Sequence, residues 1–239
     1  MLDKTLTYHD IIMKLRSEKI AAIPEPKLPE GYIFDFYHDG DEEHWARLES
    51  SVLEFPSPKK ALTYFNREYR DPFRPYLYNR CVFIKDPSGY PVATTTAWFA
   101  ESSLGHRGWL QWIATDPEHQ GMGLGRAVIA RALRCFPEVE PGSDIYLHTQ
   151  TWSHKAIFLY HRLGFEFFTI DHVKMAWDNP DGFLIMRNSP EATLKELEKI
   201  YTPELIASLR DHIEHPTEYE KTDFPPAEGV RKEFVIARS

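Results

Sequence analysis

The stretch WLQWIATDPEHQGMGLGRAVIA, residues 109–130, holds three kinds of sequence in succession. An apolar run with aromatic and β-branched residues ends at Thr115, as a strand does. Asp116-Pro117 opens a turn. Gln120-Gly121-Met122-Gly123-Leu124-Gly125 then leads into a helical pattern. Three alternating glycines let the backbone turn with its N–H groups converging outward. The helix behind them adds the unpaired donors of its first turn and the positive end of its dipole. The combination is an anion site suited to a phosphate or pyrophosphate, and Arg126 is placed to add a charged contact. The glycines do not complete a dinucleotide-binding fingerprint, and Gly125-Arg126-Ala127 stands where a Walker A loop needs Gly-Lys-Ser/Thr. Taken alone, a plain tight turn explains the glycines equally well.

Outward from this stretch the chain alternates strands and helices. Upstream, RCVFIK and YPVATTTAWFA are joined by Asp86-Pro87-Ser88-Gly89, a hairpin turn. Before them, Ser57-Pro58 starts a helix with serine as cap and proline at its first position, and Ala61, Leu62, Phe65 and Tyr69 form its buried stripe. Trp45, Leu48 and Val52 recur at helical spacing, and a strand covers Tyr32 to Tyr37. Downstream, the helix after the glycines runs through Phe136. IYLHTQT is a strand, SHKAIFLYHRLG a helix ending at Gly164, and FEFFTI and FLIMR are two more strands. The order implies an α/β (α+β) fold, a mixed central sheet of about seven strands flanked by helices. Residues 1–30 read as an N-terminal arm with a short amphipathic piece at Ile11, Ile12 and Leu15. Residues 188–239 read as a C-terminal extension with helices starting at Ser189-Pro190 and Thr202-Pro203, packed on the domain or on a partner.

Composition narrows the function. The chain has 239 residues, 42% hydrophobic and 27% charged, enough apolar material for a core. A net charge of −8 argues against nucleic acid as a partner. Cys81 and Cys135 are too few for a disulfide framework or a cysteine zinc site. The N-terminal stretch breaks its apolar runs with Asp3, Lys4, His9, Asp10 and Lys14, unlike a signal peptide, and no run approaches a membrane span. The expectation is a cytoplasmic protein with no membrane partner.

Position by position, Gln120-x-x-Gly123-x-Gly125 resembles the acyl-CoA loop of the GNAT superfamily of N-acetyltransferases. About thirty residues on, Ser153-x-x-Ala156-x-x-Leu159-Tyr160-x-x-x-Gly164-Phe165 is similar to that family's second motif, usually written with Asn in the place of Ser153. WLQWIATDP is similar to the family's fourth strand. The resemblance covers residues 31–187 and implies the acyl-CoA N-acyltransferase fold. Serine keeps a hydroxyl in place of the amide and is suited to cap the following helix.

The resemblance implies an N-acetyltransferase moving an acetyl group from acetyl-CoA to a primary amine, small molecule or peptide, by direct attack in a ternary complex and without a metal. It implies that Ile113, Ala114 and Thr115 contact the acyl-pantetheine through the main chain. Gln120, Gly121, Met122, Gly123, Leu124, Gly125 and Arg126 would hold the pyrophosphate, with Ser153 and Ala156 beside the pantetheine. Tyr160 matches the family's proton donor to the departing sulfur. A phenol, with its pKa about 10, stays protonated at neutral pH, although a packed tyrosine fits the buried helix face as well.

Several points stay open on the residues alone. The base is unassigned among His148, Glu101 and water, because WLQWIAT holds no carboxylate or histidine. His154 and His161 lack the neighbours of a metal site. Lys155 fits a CoA phosphate or a solvated helix face. Trp98, Trp109, Trp112, Trp152 and Trp177 pack the core or wall an acceptor pocket. A non-catalytic acyl-CoA-binding sensor is the alternative function, a homodimer is open, and so are the acceptor and acyl groups longer than acetyl.

Overall fold

Asp10–Leu15 forms strand β1 in the computed structural model, which describes residues 2–175, 184–217 and 220. There follow β2 (Ile33–Phe36), α1 (Asp41–Ser51), α2 (Pro58–Phe65), α3 (Asp71–Leu77), β3 (Cys81–Lys85), β4 (Pro91–Ser102) and β5 (Gly105–Thr115). Next come α4 (Leu124–Leu133), α5 (Phe136–Val139), β6 (Ile145–Gln150), α6 (His154–Arg162), β7 (Glu166–Phe168), β8 (His172–Met175) and β9 (Leu184–Arg187). α7 (Pro190–Leu197), α8 (Pro203–Asp211) and β10 (Ile213–Glu214) complete the described chain. The seven strands read from sequence are present, and β1, β8 and β10 add to them. The fold is α/β, with mixed strand pairing and flanking helices.

Contacts divide the chain into two units. The first comprises Leu2, Ser17–Trp98 and Leu110–Ser143; the second comprises Asp3–Arg16, Phe99–Trp109 and the described residues from Asp144 on. Strands β4 and β5 each contribute to both.

In the first unit β2, β3 and β4 pair antiparallel, with Phe34 opposite Ile84 and Phe83 opposite Thr94. The hairpin turn is fixed by Asp86, whose carboxylate accepts from the Ser88 and Tyr90 N–H groups, each at 2.9 Å. Trp45 and Leu48 of α1 are fully buried, and Ser57 caps α2 as its sequence requires. Glu49 is buried on α1 as well, and burial pushes its carboxyl well above the usual carboxylate range. The helix from Pro58 does not run on evenly. Asn66–Arg70 make one wider turn, and Phe73 leaves helical geometry inside α3. Pro72 and Pro75 lack the N–H groups that a continuous helix needs there. Proline also corrects the helix expected through Phe136: the Pro137 ring would meet the carbonyl of Leu133, so α4 stops and the short α5 restarts.

In the second unit β1 lies between β6 and β7, antiparallel to both, with Ile12 opposite His148 and Met13 opposite Phe167. β10 adds parallel to β7, and the start of β5 runs parallel to β6. Ile12, Leu104, Trp109, Tyr146, Phe168, Val173 and Met175 form a core cluster. The segment 1–30, read as an arm, thus supplies an interior strand. Lys14, which interrupts the apolar run of that segment, is not solvated. Instead it is buried, with Nζ 2.8 Å from Glu220 and 3.1 Å from Asp144. The extension packs on this unit: the Asn188 side chain accepts from Ile12 N–H at 2.9 Å, and Glu196 accepts from Thr7 N–H at 2.8 Å. Its two helices begin at Pro190 and Pro203, as the sequence indicates. Among the described residues no helix is long and apolar enough to cross a membrane. The C-terminal RKEFVIARS and Trp177 lie outside the described residues.

Candidate active site

The glycine loop belongs to the first unit, and its geometry follows from where glycine is needed. Gly121 takes φ +82° and Gly123 φ +84°, in the left-handed region that a Cβ disfavours. A Cβ at either place would meet nothing within 4 Å, so the conformation and not crowding selects glycine. Gly123 is the residue at which the chain enters α4, and the first return bond runs from Ala127 N–H to Gly123 O at 3.0 Å. The N–H groups of Leu124, Gly125 and Arg126 precede that bond and are not taken up by the helix. Gly121, Met122, Gly123 and Arg126 are exposed, and Arg126 makes no ion pair among the described residues. Open donors, a helix dipole and a cationic side chain suit a phosphorylated ligand.

The end of β5 is aimed by a kink. Trp112 has φ +52°, uncommon for any residue with a side chain and a local break in the strand pattern. Gln111 before it is held twice: its carbonyl accepts from Thr95 Oγ1 at 3.2 Å, and its side-chain oxygen accepts from Tyr69 at 2.5 Å. The Trp112 ring stands 5.0 Å from Phe55 and 5.1 Å from Tyr64, all three half-buried, over the buried Trp45. Ile113, Ala114 and Thr115 follow, and the Gln120 side chain donates to Thr115 O at 3.0 Å, closing the turn between strand and glycines. Asp116 anchors that turn: it accepts from Arg47 at 2.7 Å and from Glu118 N–H at 3.1 Å. Burial would raise the Asp116 carboxyl, but these bonds outweigh it and hold it below its usual range. Nothing in the sequence announced the Trp112 kink or the Arg47 anchor. A glycine would have marked the kink, but here packed rings hold a tryptophan in that conformation.

Ser153, Ala156 and Tyr160 lie in the second unit, on or beside α6. Ser153 does not cap the helix. Gln150 accepts from Ser153 N–H at 2.8 Å and takes the capping role, because a single helical turn, Thr151–Ser153, intervenes. Ala156 is half-buried, and Tyr160 is 4% exposed, with its ring edge-on to Phe165 at 6.0 Å. Lys155 is exposed. His154 approaches Asp3 at 3.8 Å, whereas His161 bonds Ser208 at 2.9 Å, so the two serve different contacts. Among the described residues no three His, Cys, Asp or Glu are grouped to hold a metal ion.

Three of the five tryptophans prove to be packing residues. Trp109 is buried against Tyr146, Trp98 against Tyr69 and Phe73, and Trp152 donates to Leu6 O at 2.8 Å beside Tyr8. Glu101 bonds His106 at 2.5 Å, with both side chains about half exposed at the end of the β4–β5 hairpin.

A glycine loop with open N–H groups, entered from a kinked strand within this order of elements, points to the class. The chain belongs to the acetyltransferase (GNAT) family, whose profile matches residues 42–165. Among characterised relatives it is similar to a mycothiol acetyltransferase from Thermobispora bispora, 27% identical over 165 residues, covering 67% of this chain and 55% of the relative. A mycothiol acetyltransferase from Salinispora tropica is 26% identical over 157 residues, covering 65% and 51%. The chain spans about half the length of these relatives. Among solved structures, a GCN5-related N-acetyltransferase from Sphaerobacter thermophilus shares the fold at 20% identity and a TM-score of 0.53, over 68% of this chain and 49% of that one.

Proposed function

We propose that this protein is an N-acetyltransferase that moves the acetyl group of acetyl-CoA to a primary amine while both substrates are bound. The observation that carries the reading is the loop itself: positive φ at Gly121 and Gly123 leaves the first-turn N–H groups of α4 open beside the exposed Arg126. No crowding at either glycine opposes close approach of a pyrophosphate.

On this reading Gly121 to Arg126 hold the pyrophosphate, and Gln120 keeps the turn closed. The kink at Trp112 redirects the main chain ahead of Ile113–Thr115. A backbone N–H there is suited to stabilise the developing oxyanion more than the ground-state carbonyl, which is the part that raises rate. Ser153 and Ala156 border the pantetheine arm. Tyr160 gives its phenolic proton to the sulfur as the C–S bond breaks, then recovers one from solvent. The acceptor is an amine with apolar or ring character, because Phe55, Tyr64 and Trp112 present half-buried faces in the unit that holds the loop. The names of the relatives favour a small-molecule amine. On this reading the acetyltransferase domain runs over 31–187, with β1 and the helices after 187 as additions to it. Two buried free thiols suit a reducing cytoplasm.

The test is to incubate the protein with acetyl-CoA and alkyl amines, aminosugars and amino acids, following free thiol. Amine-dependent thiol release supports the enzyme. Tight CoA binding with no release by any amine refutes it in favour of a sensor.

A further inference from the structure

Strand β6 carries a second group of interacting side chains, all within one unit. Pairing sets Ile12 opposite His148 and Asp10 opposite Gln150, so these four side chains share one face of the strand pair. Along that face Asp10 Oδ1 lies 3.1 Å from His148 Nε2. The same oxygen accepts from the Tyr8 hydroxyl at 2.6 Å, and the Tyr8 ring is braced edge-on against Trp152 at 5.0 Å. Nε2 is buried, and its approach to Asp10 falls short of hydrogen-bond angles, so the contact is at ion-pair distance without a directed bond. Catalytic contacts are often this loose before substrate binds. The His148 side chain is 20% exposed overall, and no described residue bonds its Nδ1.

The strand around His148 has an open edge. β5 and β6 pair only at Gly108–Ile145 and Trp109–Tyr146. Among the described residues, Leu147–Gln150 pair with β1 alone. Unladdered backbone groups of this kind are what an extended ligand adds to as an extra strand. His148 stands in the middle of that stretch.

We propose that His148 is the general base of the transfer and that Asp10 is the residue that positions it. The proposal rests on the acetyltransferase reading above. A protonated alkyl amine, with its pKa near about 10, must lose a proton before its lone pair can form the C–N bond. Nδ1 of neutral His148 takes that proton, and the Asp10 carboxylate at Nε2 supplies the counter-charge to the imidazolium. The nitrogen loses its second proton to solvent once the C–N bond has formed. The C–S bond breaks with its electron pair on sulfur, and Tyr160 protonates that sulfur. The imidazolium then releases its proton to water at the exposed fifth of its side chain. Glu101, engaged with His106 at the hairpin end, is not needed. Asp10 and Tyr8 lie outside residues 42–165, so the domain profile alone does not include them.

The experiment compares wild type, His148→Gln and Asp10→Asn at neutral pH with acetyl-CoA and two kinds of acceptor. One kind is the alkyl amines, which are protonated at that pH. The other is hydroxylamine, which is neutral there and needs no base, with rates taken above the uncatalysed background. With alkyl amines, His148→Gln is expected to lower kcat by about 10²–10³-fold while its hydroxylamine rate stays within about threefold of wild type. Asp10→Asn, nearly isosteric and therefore informative even if His148→Gln misfolds, should lower kcat by roughly tenfold with KM unchanged and show the same recovery. Equal losses with both acceptors, or no loss in His148→Gln, would overturn the proposal alone. No thiol release by wild type with any acceptor overturns the acetyltransferase reading and this proposal with it.

Discussion

In the first unit, the residues expected at the acyl-CoA are set by main-chain geometry: positive φ at Gly121 and Gly123, a kink at Trp112, and open N–H groups at the start of α4. In the second unit the groups proposed to move protons are set by side chains: Tyr160 buried on α6, His148 facing Asp10, and Asp10 held by Tyr8. Backbone geometry of this kind is suited to bind what every acyl-CoA shares, and so to affinity. Placed side chains are suited to move protons, and so to rate. Substitutions in the two units should therefore separate into effects on binding and effects on kcat.

The largest effect is expected at Tyr160. Tyr160→Phe keeps the ring and its contact with Phe165, removing only the hydroxyl, and should lower kcat by about 10²–10³-fold. Acetyl-CoA affinity, measured by calorimetric titration, should stay within about twofold, since no binding group is lost. A parallel loss of affinity would break the comparison.

The next effect concerns stability. Glu220 is buried where it accepts from Lys14, Tyr146 and Thr217. Burial would raise its carboxyl, but these bonds outweigh it and lower the group to about 2. A depressed carboxyl stabilises the fold above its unfolded value near 4.5 and loses that contribution as pH falls through the folded value. Glu220→Gln should therefore cost about 3 kcal/mol at neutral pH in urea unfolding. The gap to wild type should shrink below pH 4.5 and close near pH 2. A gap independent of pH would show that the ion pair is not its source.

The same contrast governs what could be read from sequence. Glycines at 121 and 123, the Ser57-Pro58 start and the Asp86–Gly89 turn are local signals, because a backbone conformation restricts which residue can adopt it, whereas Gly125 falls inside α4 without a positive φ. Those readings carried over into the structure. β1 is read as part of an arm because Lys14 interrupts its apolar run, and the partners that let Lys14 be buried, Asp144 and Glu220, are 130 and more residues away. The Asp10–His148 contact was hidden for the same reason. Each residue is unremarkable alone, and only cross-strand register brings them together. The Trp112 kink was hidden differently, since tertiary packing and not local preference holds it.

A smaller effect should appear in the loop. Gly123→Ala leaves the charge unchanged and meets no neighbour, but must adopt φ +84° at a cost of about 1–2 kcal/mol. If the loop keeps its shape, that cost falls on stability and the melting temperature drops. If the loop relaxes, CoA affinity weakens by about tenfold instead. In either case kcat at saturating acetyl-CoA should change little. A large fall in kcat would mean that this unit does more than bind.

The smallest effect belongs to Arg126. Its guanidinium is exposed, so water and salt screen its attraction for a phosphate, and Arg126→Ala should cost about 1 kcal/mol of CoA affinity. Titrations of wild type and variant at low and high salt separate its share from that of the backbone donors. The difference between the two proteins should fade as salt rises, whereas the affinity that remains in the variant reports the N–H groups of Leu124 and Gly125 and the helix dipole. Should the variant lose all measurable CoA binding, the arginine and not the main chain would be the principal anion ligand, and the contrast between backbone geometry in the first unit and placed side chains in the second would fail at its first residue.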